Sequence, residues 1–218
     1  MANRSYLYSL SNRPTAYDDR PETISGLSEW PYAVPFSFRV LLSGDPRRCA
    51  SLISDGFDDD PPDQKTALYA ISGDFEAGYA RLRKFAAAVR TLGTTELNSA
   101  LDETAAFLDR HRDEFLLLET VELDCMTEES GNGMRACVER EIEECRRVGA
   151  AIDALPDDPA AAGAILAKSA GAFDGLVFDD GFDNTRDDRT EYPLGLSYWT
   201  DVLYFSLWDK ATFEADKV

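Results

Sequence analysis

The amino-acid sequence predicts an α+β fold, mainly helical with a small antiparallel or mixed sheet. Apolar residues recur every three or four positions over 74–92 and again over 131–154, which is the spacing of one helix face. Short apolar and aromatic runs at 4–9, 66–72 and 115–124 read instead as strands. With 218 residues, 44% of them hydrophobic, the chain has material for one sizeable core and is read as a single globular domain over residues 1–218.

The first strand places Tyr6 and Tyr8 on one side and Leu7 on the other. From Ser11 to Pro35 the chain carries Pro14, Pro21, Pro31 and Pro35, a loop composition anchored by Trp30 and Tyr32. Residues 36–43 (FSFRVLLS) lie between strand and two-turn helix, and Pro35 at the helix start favours helix. Gly44-Asp45-Pro46 ends that element, and Asp45 is placed to cap a second short helix through Cys49, Leu52 and Ile53.

An acidic turn at 55–63 precedes the strand at 66–72. Asp74 then caps a helix whose inward face is Phe75, Tyr79, Leu82, Phe85, Val89 and Leu92, and Gly93 ends it. Thr94 and Thr95 open its partner at 95–110, with Leu97, Leu101, Ala105 and Leu108 inward, so the two form a helical hairpin. Alternation at 115, 117, 121, 123 and 125 favours a strand over 115–124.

Met134, Val138, Ile142, Cys145, Val148 and Ile152 mark the helix at 131–154. Its outer face, Glu139, Arg140, Glu143, Glu144, Arg146 and Arg147, has the spacing of a self-compensating solvated surface. Asp158-Pro159 opens an alanine-rich helix, and residues 174–193 are mostly loop with a brief strand at Leu176–Phe178. The stretch 194–208 (LGLSYWTDVLYFSLW) has one charged residue, Asp201; it is expected as a buried core element whose removal unfolds the protein.

Charge bounds the function. Against 41 acidic residues there are 22 basic ones, a net of −19, a field that repels phosphate backbones and anionic lipid while steering cationic surfaces inward. Nucleic acid and membrane are therefore not expected as direct partners, although acidity also serves solubility alone. The opening MANRSYLYSL lacks an apolar run of signal-peptide length, and no segment approaches ~20 apolar residues, so a cytoplasmic location is expected. Cys49, Cys125, Cys137 and Cys145 form no CxxC pair and read as free, mostly buried thiols, with 137 and 145 on one helix face.

Catalytic signatures are scarce. One histidine, His111, excludes a multi-histidine metal site and reads as a cation at a helix C-terminus. There is no GxSxG elbow, no GxxxxGK[ST] loop and no GxGxxG after a strand, and no cofactor is expected. Two acidic turns echo each other, Asp55-Gly56-Phe57-Asp58-Asp59-Asp60 and Asp180-Gly181-Phe182-Asp183, the second continuing to Asp187 and Asp188. Their carboxylates suit hard cations, but neither matches the spaced calcium-loop pattern.

Carboxylates beside aromatics do suit a basic protein surface, with rings anchoring and charge steering. Phe57, Asp58, Asp59, Asp60, Asp180, Phe182, Asp183, Asp187 and Asp188 are the expected contact residues. Trp30, Tyr32, Tyr192, Tyr198 and Trp199 are further aromatic candidates that also suit a core. A carboxylate-dependent enzyme on a small substrate is the alternative, with no pair of acids singled out, and a non-catalytic subunit of a larger assembly is a third.

Residues 1–10, PFSFRVLLSGDP at 35–46 and SYWTDVLYFSLW at 197–208 resemble a group of uncharacterised bacterial proteins that open in the same way. In type, the chain is similar to immunity proteins that protect bacteria from antibacterial toxins. That likeness implies a non-enzymatic, stoichiometric inhibitor of a cognate basic toxin.

Overall fold

The computed structural model describes residues 3–57, 59–61, 64–179, 181–183 and 192–216. Its strands are β1 (Arg4–Leu10), β2 (Ile24–Pro31), β3 (Arg47–Ala50), β4 (Tyr69–Asp74) and β5 (Phe115–Glu119), and they form one antiparallel sheet in the order β2-β1-β5-β4-β3. β5 is central, and Leu116, Leu117, Leu118 and Glu119 are all fully buried, so both sheet faces are covered. Alternation sorts the rest: Leu7, Ile71, Leu116 and Leu118 join the larger core, while Tyr6, Tyr8, Ala70 and Leu117 join a smaller one.

The larger core lies under helices α1 (Phe36–Leu42), α2 (Phe75–Val89), α5 (Gly131–Asp153) and α6 (Pro159–Leu166), which pack on one another. α3 (Thr95–Arg110) follows α2 and meets it through side chains, the Tyr79 hydroxyl donating to the Ala105 carbonyl at 3.3 Å and Arg90 pairing with Asp102 at 2.6 Å. The anticipated caps are in place: Asp74, Thr94 and Asp158 accept from the amides of Ala77, Leu97 and Ala161. His111 closes α3, stacked on Phe107 at 4.1 Å.

Along α5 the outer charges do compensate one another. Glu143 pairs with Arg146 and Glu144 with Arg147, while Glu139 reaches Arg48 at 2.7 Å and Glu141 reaches Arg39 of α1 at 2.5 Å. Cys137 and Cys145 are buried on its inner face, Cys49 is half-buried, and Cys125 is exposed.

Four local expectations are corrected. The loop expected at 11–35 contains β2, whose partners run from Arg4↔Pro31 to Leu10↔Ile24. The helix expected through Cys49 is strand β3, paired to β4, and Asp45 sits at φ 53 as a turn residue instead of a cap. The strand expected to reach 124 stops at Glu119, after which Val121–Asp124 form a single turn, α4. Of residues 176–178, only Leu176 makes a bridge, a parallel one to Tyr192.

The C-terminal stretch is a strap, neither helix nor strand through residue 208. It begins on the helical side, where Ser37 of α1 donates from its amide to the Leu194 carbonyl and from its hydroxyl to the Gly195 carbonyl. It then crosses edge strand β2: Trp199 bridges Ser28, and the Thr200 amide donates to the Leu27 carbonyl at 2.9 Å. Beyond the edge, Leu203 joins the smaller core and Phe205 and Leu207 pack against it, before α7 (Lys210–Asp216) docks Phe213 near Arg20. Covering an open edge suppresses pairing with other chains. The expectation that this stretch is wholly buried fails: Tyr198, Val202, Tyr204 and Trp208 are 69, 78, 55 and 42% exposed.

Candidate functional site

Where the strap turns over β2 it leaves a cleft of about 450 Å³ between the two segments. Trp30 and Pro31 from β2 form one wall, Tyr198, Trp199 and Thr200 from the strap the other, and Arg4, Glu29 and Asp183 supply charge. Aromatic packing fixes the walls. The Trp30 and Tyr198 rings meet edge to face at 5.7 Å, and Trp199 is wedged between Phe38 of α1 and Phe107 of α3.

Two local features lie beside this cleft. The indole nitrogens of Trp30 and Trp199 are both buried without a hydrogen-bond partner. An indole N–H only donates, and leaving one unsatisfied costs about 1–3 kcal/mol. The backbone is also strained here: Tyr32 and Tyr198 have φ of 60 and 65, left-handed values that bulky residues adopt at a cost of roughly 1–3 kcal/mol each. Both nitrogens are closed off from solvent, so they lie in the packing behind the cleft walls, and the strain falls where the strap turns over β2.

The charged groups are held by the fold. Arg4 Nε lies 3.1 Å from Glu29, its guanidinium stands over the Tyr204 ring, and Glu29 also accepts the Tyr204 amide at 2.8 Å. Asp183 accepts the amides of Gly195 and Leu196 at 2.7 and 3.3 Å, which pins the start of the strap. Burial raises the Asp183 carboxyl above its ordinary range, while the Ser197 hydroxyl and the strap amides pull it back.

Of the nine expected contact residues, Asp183 alone lines this cleft among the described ones. Phe182 packs partly buried against the larger core, Phe57 is half-buried in its own turn, and Asp59 is exposed. Asp60 is used internally: it accepts the amides of Phe57 and Thr66, which hold its carboxyl below the usual range, and the Thr66 hydroxyl. Asp58, Asp180, Asp187 and Asp188 lie outside the described residues. The sequence signal for this cleft is the aromatic set Trp30, Tyr198 and Trp199, read as anchors or as core.

A family described as a domain of unknown function, DUF7822, matches residues 11–162, well over half of the chain. The chain belongs to the DUF7822 family. No curated protein and no solved structure matches it. The DUF7822 match takes in β2 to β5 and helices α1 to α5, but not β1 or the strap.

A second cleft, of about 530 Å³, lies wholly inside the DUF7822 residues, between α1, α4 and α5. Arg39, Asp124, Cys137, Arg140 and Glu141 line it. Asp124, 8% exposed, accepts the Thr120 hydroxyl at 2.8 Å, and burial pushes its carboxyl up to about 6, with Glu141 adding in the same direction and Arg140 opposing. Arg140 donates to the Cys137 sulfur at 2.9 Å. Among the described residues no group of three or more metal-ligating side chains comes together, and no helix is long and apolar enough to cross a membrane.

Proposed function

We propose that this protein is an immunity-type inhibitor, a non-catalytic binder that neutralises a basic toxin by laying its strap against it. The observation that carries the reading is the exposed apolar set on the strap face. Tyr198, Val202, Tyr204 and Trp208 of the strap and Tyr32 after β2 stand in solvent, with Tyr204 beside Arg4 and Glu29, on a chain of net charge −19. Apolar side chains ringed by polar ones mark protein contact surfaces, where aromatic anchors carry the affinity. Carboxylates around them steer and select a cationic partner.

Affinity capture from the native host, with the tagged chain as bait, tests this. One stoichiometric basic protein is expected, toxic when expressed alone and harmless beside this chain, with binding that weakens as salt rises. A stoichiometric partner without toxicity would replace the reading with that of an assembly subunit.

The Asp124 cleft favours a second reading, an enzyme using a carboxylate as general acid or base. A carboxyl poised near neutrality inside a cleft is suited to proton transfer. Carbon-detected NMR titration of the Asp124 carboxyl is expected to give a midpoint near 6, and an Asp124→Asn variant to abolish turnover of any substrate found by metabolite screening. A midpoint near 4 removes the physical basis for that chemistry.

A further inference from the structure

We infer that the cleft between α1, α4 and α5 binds a free α-amino acid with an aliphatic side chain, its carboxylate on Arg140 and its ammonium on Asp124. This rests on the second reading above for its place, and it supplies the ligand class which that reading leaves open. The occupant follows from the charges that line the cleft, most of which are already neutralised. Arg39 holds Glu141 through two hydrogen bonds, at 2.5 and 3.0 Å, and Glu143 and Glu144 pair with Arg146 and Arg147 along α5. One cation and one carboxyl remain. Among the described residues Arg140 has no carboxylate at salt-bridge distance and Asp124 has no cation there, although both line the same cavity.

Each of the two is held by its own neighbour. Arg140 donates from one nitrogen to the Cys137 sulfur at 2.9 Å, one turn back on α5, and the Thr120 hydroxyl donates to one Asp124 oxygen at 2.8 Å. These contacts keep the charges from closing on each other, yet near enough that Arg140 opposes the rise of the Asp124 carboxyl. Both keep capacity for a ligand, since a guanidinium has further N–H donors and a carboxylate a second oxygen. Neither is sealed off: Arg140 is exposed, and Asp124 is 8% exposed at the cleft wall.

An occupant that satisfies both groups carries a negative and a positive charge a short distance apart, as an α-amino acid does on either side of its Cα. A plain anion would meet Asp124 and Glu141, and a plain cation would meet Arg140. Val34 and Leu123 give the cleft an apolar wall for an aliphatic side chain, and about 530 Å³ is ample for one amino acid.

The test uses the full chain, labelled with nitrogen-15, at pH 7, above the Asp124 midpoint of about 6. L-Leucine is the probe, L-leucinamide lacks its carboxylate charge, and 4-methylpentanoate lacks its ammonium. Saturable shifts of the Arg140 Nε–H and of the Leu123 and Cys137 amides are expected with leucine, while the indole N–H of Trp208, outside the cleft, stays unmoved. Each one-charge analogue is expected to bind at least about tenfold more weakly.

Arg140→Gln and Asp124→Asn are each expected to weaken leucine about tenfold. Arg140 is exposed and asparagine still accepts the Thr120 hydroxyl, so both spectra are expected to stay native-like. No saturable shift at millimolar leucine, or equal affinity for either one-charge analogue, overturns the inference whatever substrate an enzyme assay finds. Conversely, saturable leucine binding beside an Asp124 midpoint near 4 upholds the site and removes the proton-transfer reading alone.

Discussion

Replacing Gly78 by alanine is expected to cost at least ~3 kcal/mol of stability, a fall in Tm of roughly 6–12 °C for a chain of this size. Gly78 lies in the first turns of α2, where that helix crosses α1. A methyl group there would sit 1.7 Å from the Leu41 carbonyl oxygen and 2.7 Å from its carbon. Both obstacles are backbone, so no side chain can swing away, and relief requires moving α1. That movement is resisted because Phe38, Val40, Leu41 and Leu42 of α1 are all fully buried. α1 also anchors the strap through Ser37, so loosening it should disturb the aromatic cleft too. Thermal unfolding of the Gly78→Ala variant checks this, and a Tm within 2 °C of wild type would show that the helices separate easily.

Glu119→Gln is expected to stabilise the protein by about 3 kcal/mol at pH 8 and by little at pH 4. Glu119 is fully buried in central β5, where it accepts the Leu52 amide at 2.7 Å and the Ser51 hydroxyl at 2.8 Å. Those bonds latch the segment after β3 onto the sheet, and Arg20 ties the same segment through the Leu52 carbonyl. Burial nonetheless dominates and lifts the carboxyl from 4.5 to about 7, with the two hydrogen bonds and Arg20 opposing.

Between those values the folded protein keeps a proton that the unfolded chain has released. Stability therefore falls as pH rises from about 4.5 to about 7, then levels off. Glutamine has no proton to lose and its carbonyl still accepts the Leu52 amide. Asp124, raised to about 6, imposes a slope of the same sign, so the difference between wild type and Glu119→Gln isolates the buried glutamate. Urea unfolding at pH 4, 6 and 8 reads it, and a difference that does not grow with pH would show that Glu119 is ionised in the fold.

The helices were legible because amphipathic spacing is local: α5 buries every residue that its periodicity names, and α2 and α3 bury all but Leu92, which falls beyond the end of α2, and Ala105, both half-buried. β2 was not legible, because its sequence, ISGLSEWP, has turn residues at Gly26 and Pro31 and becomes a strand only by pairing with β1. β3 is four residues with two arginines, too short for a pattern, and it exists through β4. The strap misled in a different way. Its apolar composition suggested burial, yet an irregular segment crossing an edge can bury Leu194, Leu196 and Leu203 while turning Tyr198, Val202 and Tyr204 outward.

The site was legible in its parts and not in its assembly. The acidic turns drew the eye, but Asp60 and Asp183 fold their carboxylates onto nearby amides, a role that composition does not distinguish from a solvated one. Trp30 and Trp199 stood out as aromatics, whereas their neighbourhood depends on a strap that returns to β2 from the far end of the chain. Only tertiary structure brings a donor without an acceptor to light.

The central claim, that the strap face is the surface with which this protein grips a basic partner, is tested most directly by the affinity of the captured partner for wild type and for a Tyr198→Ala/Tyr204→Ala variant. Both rings are more than half exposed, so the variant is expected to stay folded, losing only the ring contacts to Trp30, Phe205 and Arg4. A Kd raised at least about 30-fold is expected, the loss of roughly 2 kcal/mol typical of a central aromatic anchor. An unchanged Kd with the fold intact would place the partner on another face and contradict it.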